Sequence, residues 1–163
     1  MYNSRTYGKV ELSEIPKYLN EYYNKQKHFD STFKIVVGTD SQNFSDTKMV
    51  TVIAIVCEGH GGIFFYEITR QNKITDIRRK LHIETNLSLN VAEKLVEMLE
   101  DKQYEDLFLH SLFQIHIDAG SSNYGKTKEL IPELVGWIKS CGYDCEVKPD
   151  SYVASTIADK LSK

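Results

Sequence analysis

The segment FKIVVGTDS, residues 33–41, decides how the rest of the chain is read. Ile35, Val36 and Val37 are β-branched and consecutive, in a run too short for a helix and apolar on both faces of an extended chain. A strand of that kind belongs in the interior of a sheet, covered on each side. The apolar run stops at Asp40, so the spacing predicts a strand over 33–39 that carries a carboxylate to its C-terminal end.

Beyond it, KMVTVIAIVC (48–57) and GIFFYEIT (62–69) flank Gly59-His60-Gly61-Gly62, the signature of an antiparallel hairpin, and the first three strands form a meander. Residues 75–100 place Ile77, Leu81, Ser88, Val91, Leu95 and Met98 on one helical stripe, with a loop or separate turn as the alternative for the first part. FQIHID (113–118) is a fourth strand. Gly120, Ser121 and Ser122 follow as turn and cap, then a helix over about 126–140 with Leu130, Leu134, Trp137 and Ile138, ended by Gly142. Residues 144–148 make a fifth strand, and Pro149-Asp150 opens a last helix that turns Val153, Ile157 and Leu161 inward. On the N-terminal side, Leu12, Ile15, Leu19, Tyr22 and Tyr23 recur at helical spacing behind Ser13, making residues 1–30 a helical extension. The expectation is one α/β domain over 1–163. Its five-stranded mixed sheet joins a three-strand antiparallel meander to two parallel strands, with helices flanking it and an extra helix at the N-terminus.

Composition narrows the function classes. With 20 basic and 23 acidic residues and a net charge of −3, any contact with a polyanion must come from a local patch and not from a bulk field. Cys57, Cys141 and Cys145 form no CxxC pair and no zinc-ligand spacing, so they read as reduced thiols. No apolar leader and no run of roughly 18 apolar residues is present, which gives the expectation of a cytoplasmic protein without a membrane partner.

The expected strand order builds a site. If strand one is central, strand two pairs with it on one side and the long helix carries the chain across to strand four on the other, making strands one and four parallel neighbours. The crevice at their carboxyl ends then has Asp40 on one strand and Asp118 on the other. Two carboxylates so placed repel unless one is protonated or a cation lies between them, and a hard dication is the simpler resolution. Glu84 falls on the apolar stripe of the long helix, where a carboxylate is costly to bury unless paired or metal-bound. Each acid also has an ordinary explanation. Asp40 and Asp118 precede turn-forming residues, and Glu84 could be a first-turn acid favoured by the helix dipole.

These residues resemble the ribonuclease H-like superfamily, and specifically its small bacterial YkuK-like family. Val37-Gly38-Thr39-Asp40-Ser41 is similar to the first-strand motif with its leading metal ligand, and Ile83-Glu84-Thr85-Asn86 to the glutamate-bearing first helix. Ile115-His116-Ile117-Asp118 is similar to the fourth strand with the second aspartate, and Ala158-Asp159-Lys160-Leu161 to the last helix with the fourth acid. Asp150 competes with Asp159 for that fourth place; an N-cap role after Pro149 explains Asp150, and Asp159 is preferred.

The resemblance implies a metal-dependent nuclease that hydrolyses phosphodiester bonds of RNA or another nucleic acid (an RNA/DNA hybrid or DNA) with two Mg2+ or Mn2+ ions. Asp40 would bridge the ions, Glu84 and Asp118 would hold one, and Asp159 the other. The phosphate-contact candidates are Arg70, Lys73, Arg78, Arg79 and Lys80, the densest basic run, with Lys126 and Lys128 behind them. Ser41, Gln42, Ser121 and Asn123 offer hydrogen bonds near the acids. The rival reading is a non-catalytic nucleic-acid-binding or scaffold module with a vestigial metal site.

Overall fold

The structure is a computed structural model that describes residues 1–117 and 126–147, the side chain of Lys126 excepted. Asp118, Asp150, Asp159, the turn at 120–123 and the expected last helix lie outside the described residues.

Among the described residues the strands are β1 (Tyr2–Ser4), β2 (Gly8–Val10), β3 (Phe33–Asn43), β4 (Thr47–Cys57), β5 (Gly61–Gln71), β6 (Ser111–Ile117) and β7 (Asp144–Val147). The helices are α1 (Ile15–Gln26), α2 (Ile77–Leu99), α3 (Glu105–Leu109) and α4 (Lys126–Ser140). One mixed sheet has the order β2-β1-β5-β4-β3-β6-β7. The antiparallel meander β3-β4-β5 and the parallel pairs β3-β6 and β6-β7 are those the sequence predicts, with β3 in the interior.

The sheet has seven strands where the pattern predicts five, and the two additional ones are the short hairpin β1-β2. Tyr2, Ser4 and Val10 are its buried residues, and β1 pairs with β5 through Asn3 and Tyr66. A three-residue strand carries too little periodicity to be recognised. The helix of the 1–30 extension therefore starts only at Ile15. It follows a 3-10 turn over Leu12–Glu14 whose capping box is formed by Glu11 and Glu14, not by Ser13.

β3 also runs past the predicted stop. Asp40, Ser41, Gln42 and Asn43 pair with Val50, Met49, Lys48 and Thr47, so the polar run DSQN is held in the ladder by a buried partner strand. Strand propensity is overridden here by cross-strand pairing.

Alternation along β3 divides the core. Ile35 and Val37 join the larger cluster, to which α1 contributes Ile15 and Leu19, α2 contributes Leu81 and Leu95, α3 contributes Leu107, and α4 contributes Leu130, Leu134 and Ile138. Val36 turns to the second face with Val50, Val52 and Ala54. Both faces are buried, as an interior strand apolar on each side requires. Gly62 is needed at the start of β5 because a Cβ there would collide with the carbonyl oxygen of Ile55. Gly142, at φ +90°, ends α4 as expected, with the Tyr143 N–H donating back to Ile138 O. Among the described residues no helix is long and apolar enough to cross a membrane.

Leu95 is fully buried on α2 and Leu112 is 47% exposed on β6. Leu95→Ala should lower unfolding free energy by about 2–5 kcal/mol and Leu112→Ala by less than about 0.5 kcal/mol in urea denaturation. Equal losses at the two positions would contradict the core assignment.

Candidate functional site

The site forms where α2 crosses the C-terminal part of β3. Asp76 caps α2 by accepting from the Arg78 N–H at 3.0 Å, and the helix begins at Ile77. The separate-turn alternative for this stretch does not occur. Glu84 therefore lies well past the first turn, which removes the helix-dipole explanation for it. Its side of the helix is buried with Leu81, Thr85 and Ser88.

Polar contacts hold this crossing. Ser88 Oγ is 2.9 Å from Thr39 Oγ1, which is 3.2 Å from Thr51 Oγ1 on β4. One helical turn earlier, Ser41 Oγ donates to Glu84 Oε1 at 3.2 Å. Glu84 is only 6% exposed, and Ser41 is one of its partners. A narrow cleft between α2 and the sheet is lined by Thr39, Leu81, Glu84, Thr85, Ser88 and Ile117.

A second set of bonds fixes the approach to α2. Asn43 Nδ2 donates to Ile74 O at 2.9 Å, Thr47 Oγ1 donates to Asn43 Oδ1 at 2.7 Å, and the Ile74 N–H donates to Thr47 Oγ1 at 2.8 Å. The hairpin β3-β4 and the segment leading into α2 are thereby one unit. Thr39, Asn43, Thr47 and Thr51 are not among the predicted site residues, because single Thr and Asn residues in a strand carry no signal of their partners. Ser88 did leave one, as a polar residue on an apolar stripe.

Thr39, Ser41 and Asn43 face α2, so Asp40 between them belongs to the other face, with its ladder partner Val50. The Ser41 N–H donates to Asp40 Oδ1 at 2.8 Å. Asp40 and Glu84 thus occupy the same end of β3 on its two sides. Gln42 and the buried Lys48 share the face of Asp40, Lys48 lying diagonally from it across the ladder, a separation of about 7–8 Å for such pairs. The β3-β6 register ends at Thr39 and Ile117, one residue short of Asp40 and of Asp118. Among the described residues no group of three or more His, Cys, Asp or Glu stands ready to hold a metal ion.

His116 on β6 pairs with Gly38, with its Nε2 3.2 Å from Gln114 Oε1. Burial, with Lys34 adding to it, lowers its pKa from 6.5 to about 4, so the ring is neutral at neutral pH. It is a buried sheet histidine with Gln114 as one partner, in keeping with its place inside a strand.

The basic run is divided by its partners. Arg78 makes a two-pronged contact with Glu133 of α4, at 2.9 and 2.7 Å, and Arg70 bonds both oxygens of Asp46, at 3.0 and 3.2 Å. Lys73 and Arg79 are exposed and Lys80 half-buried, and none of them forms an ion pair among the described residues. Lys126 opens α4.

If the buried hydroxyls hold α2 against β3, Thr39→Val and Ser88→Ala should each cost about 1–2 kcal/mol, and the double variant should show a coupling of at least ~0.5 kcal/mol in a urea-denaturation cycle. Strict additivity would mean that the contact contributes nothing.

Comparison with known proteins agrees with this architecture. The ribonuclease H-like family model matches residues 14–163, leaving the β1-β2 hairpin in front of the match. The uncharacterized protein YkuK of Bacillus subtilis (strain 168) is 33% identical over 148 residues, covering 85% of this chain and 84% of that protein. Among solved structures, the Mos1 transposase catalytic domain, determined with raltegravir and magnesium, aligns over 93% of this chain and 71% of its own. Its identity is 10% and the TM-score 0.33, too loose a likeness to carry an argument about the site. An interior strand carrying Asp40, a helix bringing a buried glutamate to it and a match over nearly the whole chain have one explanation: the chain belongs to the ribonuclease H-like family, alongside YkuK.

Proposed function

We propose that this protein is a metal-dependent nuclease acting on the phosphodiester bonds of RNA or another nucleic acid. The observation that carries the reading is Glu84, a carboxylate buried inside a family fold at the strand end that also bears Asp40. A buried carboxylate costs several kcal/mol unless it is compensated, and a site that needs its charge supplies a reason to keep it.

The donor set fits the metal that the family implies. Asp40 and Glu84 offer hard oxygen donors, the chemistry that suits Mg2+ or Mn2+. Asp40 and Glu84, with Asp118 and Asp159 (Asp150 as the alternative to Asp159), are the residues proposed to hold two ions. Bound there, the metal would supply a nucleophilic hydroxide and charge neutralisation at the leaving oxygen. The chain's own contribution is orientation. The Ser41 hydroxyl holds Glu84 through one oxygen, the Ser41 N–H holds Asp40 through Oδ1, and the Thr39–Ser88 contact fixes the helix that carries Glu84. Lys73, Arg79 and Lys80 are the foremost phosphate contacts, because Arg70 and Arg78 are already engaged by carboxylates; Ser41, Gln42 and Lys126 are further candidates.

A second reading is favoured by the placement of Asp40 and Glu84 on opposite sides of β3. A nucleic-acid-binding or scaffold module could keep the fold with a vestigial metal site.

The same experiment separates the two. For a nuclease, magnesium or manganese should raise the thermal midpoint, by the equivalent of about 2.7 kcal/mol at a hundred times Kd, and EDTA should reverse it. Asp40→Asn should leave the metal-free protein at least as stable, since it removes a charge from the acids proposed to share the site. The same change should abolish calorimetric metal binding and lower cleavage by more than the roughly 10–100-fold typical of an outer-shell change. A folded Asp40→Asn protein that binds metal and cleaves like the wild type would remove Asp40 from the site. A wild type with neither response would leave the scaffold reading.

Charge reversal at Lys73 and Arg79 should flatten the salt dependence of nucleic-acid binding by about one unit of log–log slope per lost phosphate contact. An unchanged slope would return both residues to the solvated surface.

A further inference from the structure

The hairpin β3-β4 closes through Phe44, Ser45 and Asp46, and the Phe44 side chain is 46% exposed. Single exposed apolar residues are common and by themselves call for no partner. Phe44 differs in how it is held and where. Its N–H donates to Asp46 O at 2.7 Å, and the Asp46 carboxylate is gripped by Arg70 on β5. The preceding Asn43 is bonded to Thr47 and Ile74. The ring therefore projects from a fixed base, and a ligand that meets it has little loop ordering to supply. Phe29, the other exposed phenylalanine, has its ring stacked on His60 at 3.8 Å, whereas no ring contact among the described residues covers Phe44.

The position is equally specific. Phe44 follows Asp40 by four residues, at most ~13 Å along an extended strand, a distance that a few nucleotides of an unstacked strand span. A flat apolar ring on the hairpin that Asn43 and Thr47 tie to the segment carrying Lys73, within a few nucleotides of a carboxylate site, is the pairing that binds unstacked bases: a π-face for the base and a cation for the backbone. We propose that Phe44 is a stacking platform for an unpaired nucleobase, which makes single-stranded nucleic acid the substrate class of the site. The inference rests on the reading of this protein as one that acts on nucleic acid. A duplex keeps its bases stacked and offers Phe44 nothing to hold.

The test is fluorescence anisotropy with a labelled 12-nucleotide oligouridine and a blunt 12-base-pair duplex, calcium replacing magnesium to hold back cleavage. Phe44→Ala should weaken binding of the single strand by about five- to a hundredfold and leave duplex binding unchanged. Phe44→Trp should retain single-strand affinity. Phe44→Leu, apolar but not flat, should behave like Phe44→Ala. All three should keep the wild-type thermal midpoint, because the side chain is outside the core. Wild-type single-strand affinity in Phe44→Ala, or equal rescue by Leu and Trp, overturns the stacking role while leaving the nucleic-acid reading intact. A wild type that binds neither probe overturns both.

Discussion

The hydrogen bond between Thr39 and Ser88 is the contact on which the arrangement of this protein turns, because it is polar and lies inside the interface between α2 and β3. Apolar packing alone leaves a helix free to slide or rotate on a sheet at little cost, since hydrophobic burial is non-directional. A buried hydroxyl without a partner costs about 1–3 kcal/mol, so a slip that separates Ser88 from Thr39 is penalised where an apolar slip is not. Thr51 extends the same chain of hydroxyls onto β4. The position of Glu84, one turn before Ser88, is a consequence of that lock.

The segments that were legible in the sequence are those whose burial is periodic or continuous. Val36 and Val37 marked an interior strand, and Leu81, Ser88 and Leu95 marked the buried side of α2, because each pattern extends over enough residues to exclude its alternative. The hairpin β1-β2 was not legible, since three-residue strands acquire their geometry from the edge they join and not from their own composition. Nor was the continuation of β3 through Asn43. Asp, Ser and Asn each favour a turn taken singly, and pairing with the buried strand β4 opposite keeps the run extended. The same asymmetry governs the site. Glu84 announced itself as a charge on an apolar stripe, whereas the engagement of Arg78 by Glu133 joins residues 55 apart and depends on how α4 meets α2.

Extending β3 past Asp40 changes what kind of residue Asp40 is. A turn carboxylate is placed by its own loop and can move with it, but an in-ladder residue is held by both neighbouring pairs, Thr39–Thr51 and Ser41–Met49. The cost of that rigidity is alternation: consecutive residues of a strand cannot share a face. Ser41 reconciles the two requirements. Its hydroxyl reaches Glu84 on the α2 side while its N–H reaches the Asp40 carboxylate, so one residue orients acids that the strand keeps apart.

The balance of charges around the strand end follows from the same geometry. With net charge −3, the protein repels a polyanion except where cations remain uncompensated. Arg78 lies beside Lys80 and Arg79 in sequence, but Glu133 cancels its charge and uses it to join α2 to α4. Arg70 is likewise spent on Asp46, where it stiffens the tip of the β3-β4 hairpin. Exposed pairs of this kind contribute little stability, about 0–1 kcal/mol, so their main effect is to redistribute charge and to restrain geometry. Among the described residues Lys73, Arg79 and Lys80 form no ion pair; they lie in and just after the connection from β5 into α2, the connection that Asn43 and Thr47 tie to the β3-β4 hairpin. These cations and the tip of the β3-β4 hairpin are consequently built on one bonded unit, so their relative positions are set by the same hydrogen bonds.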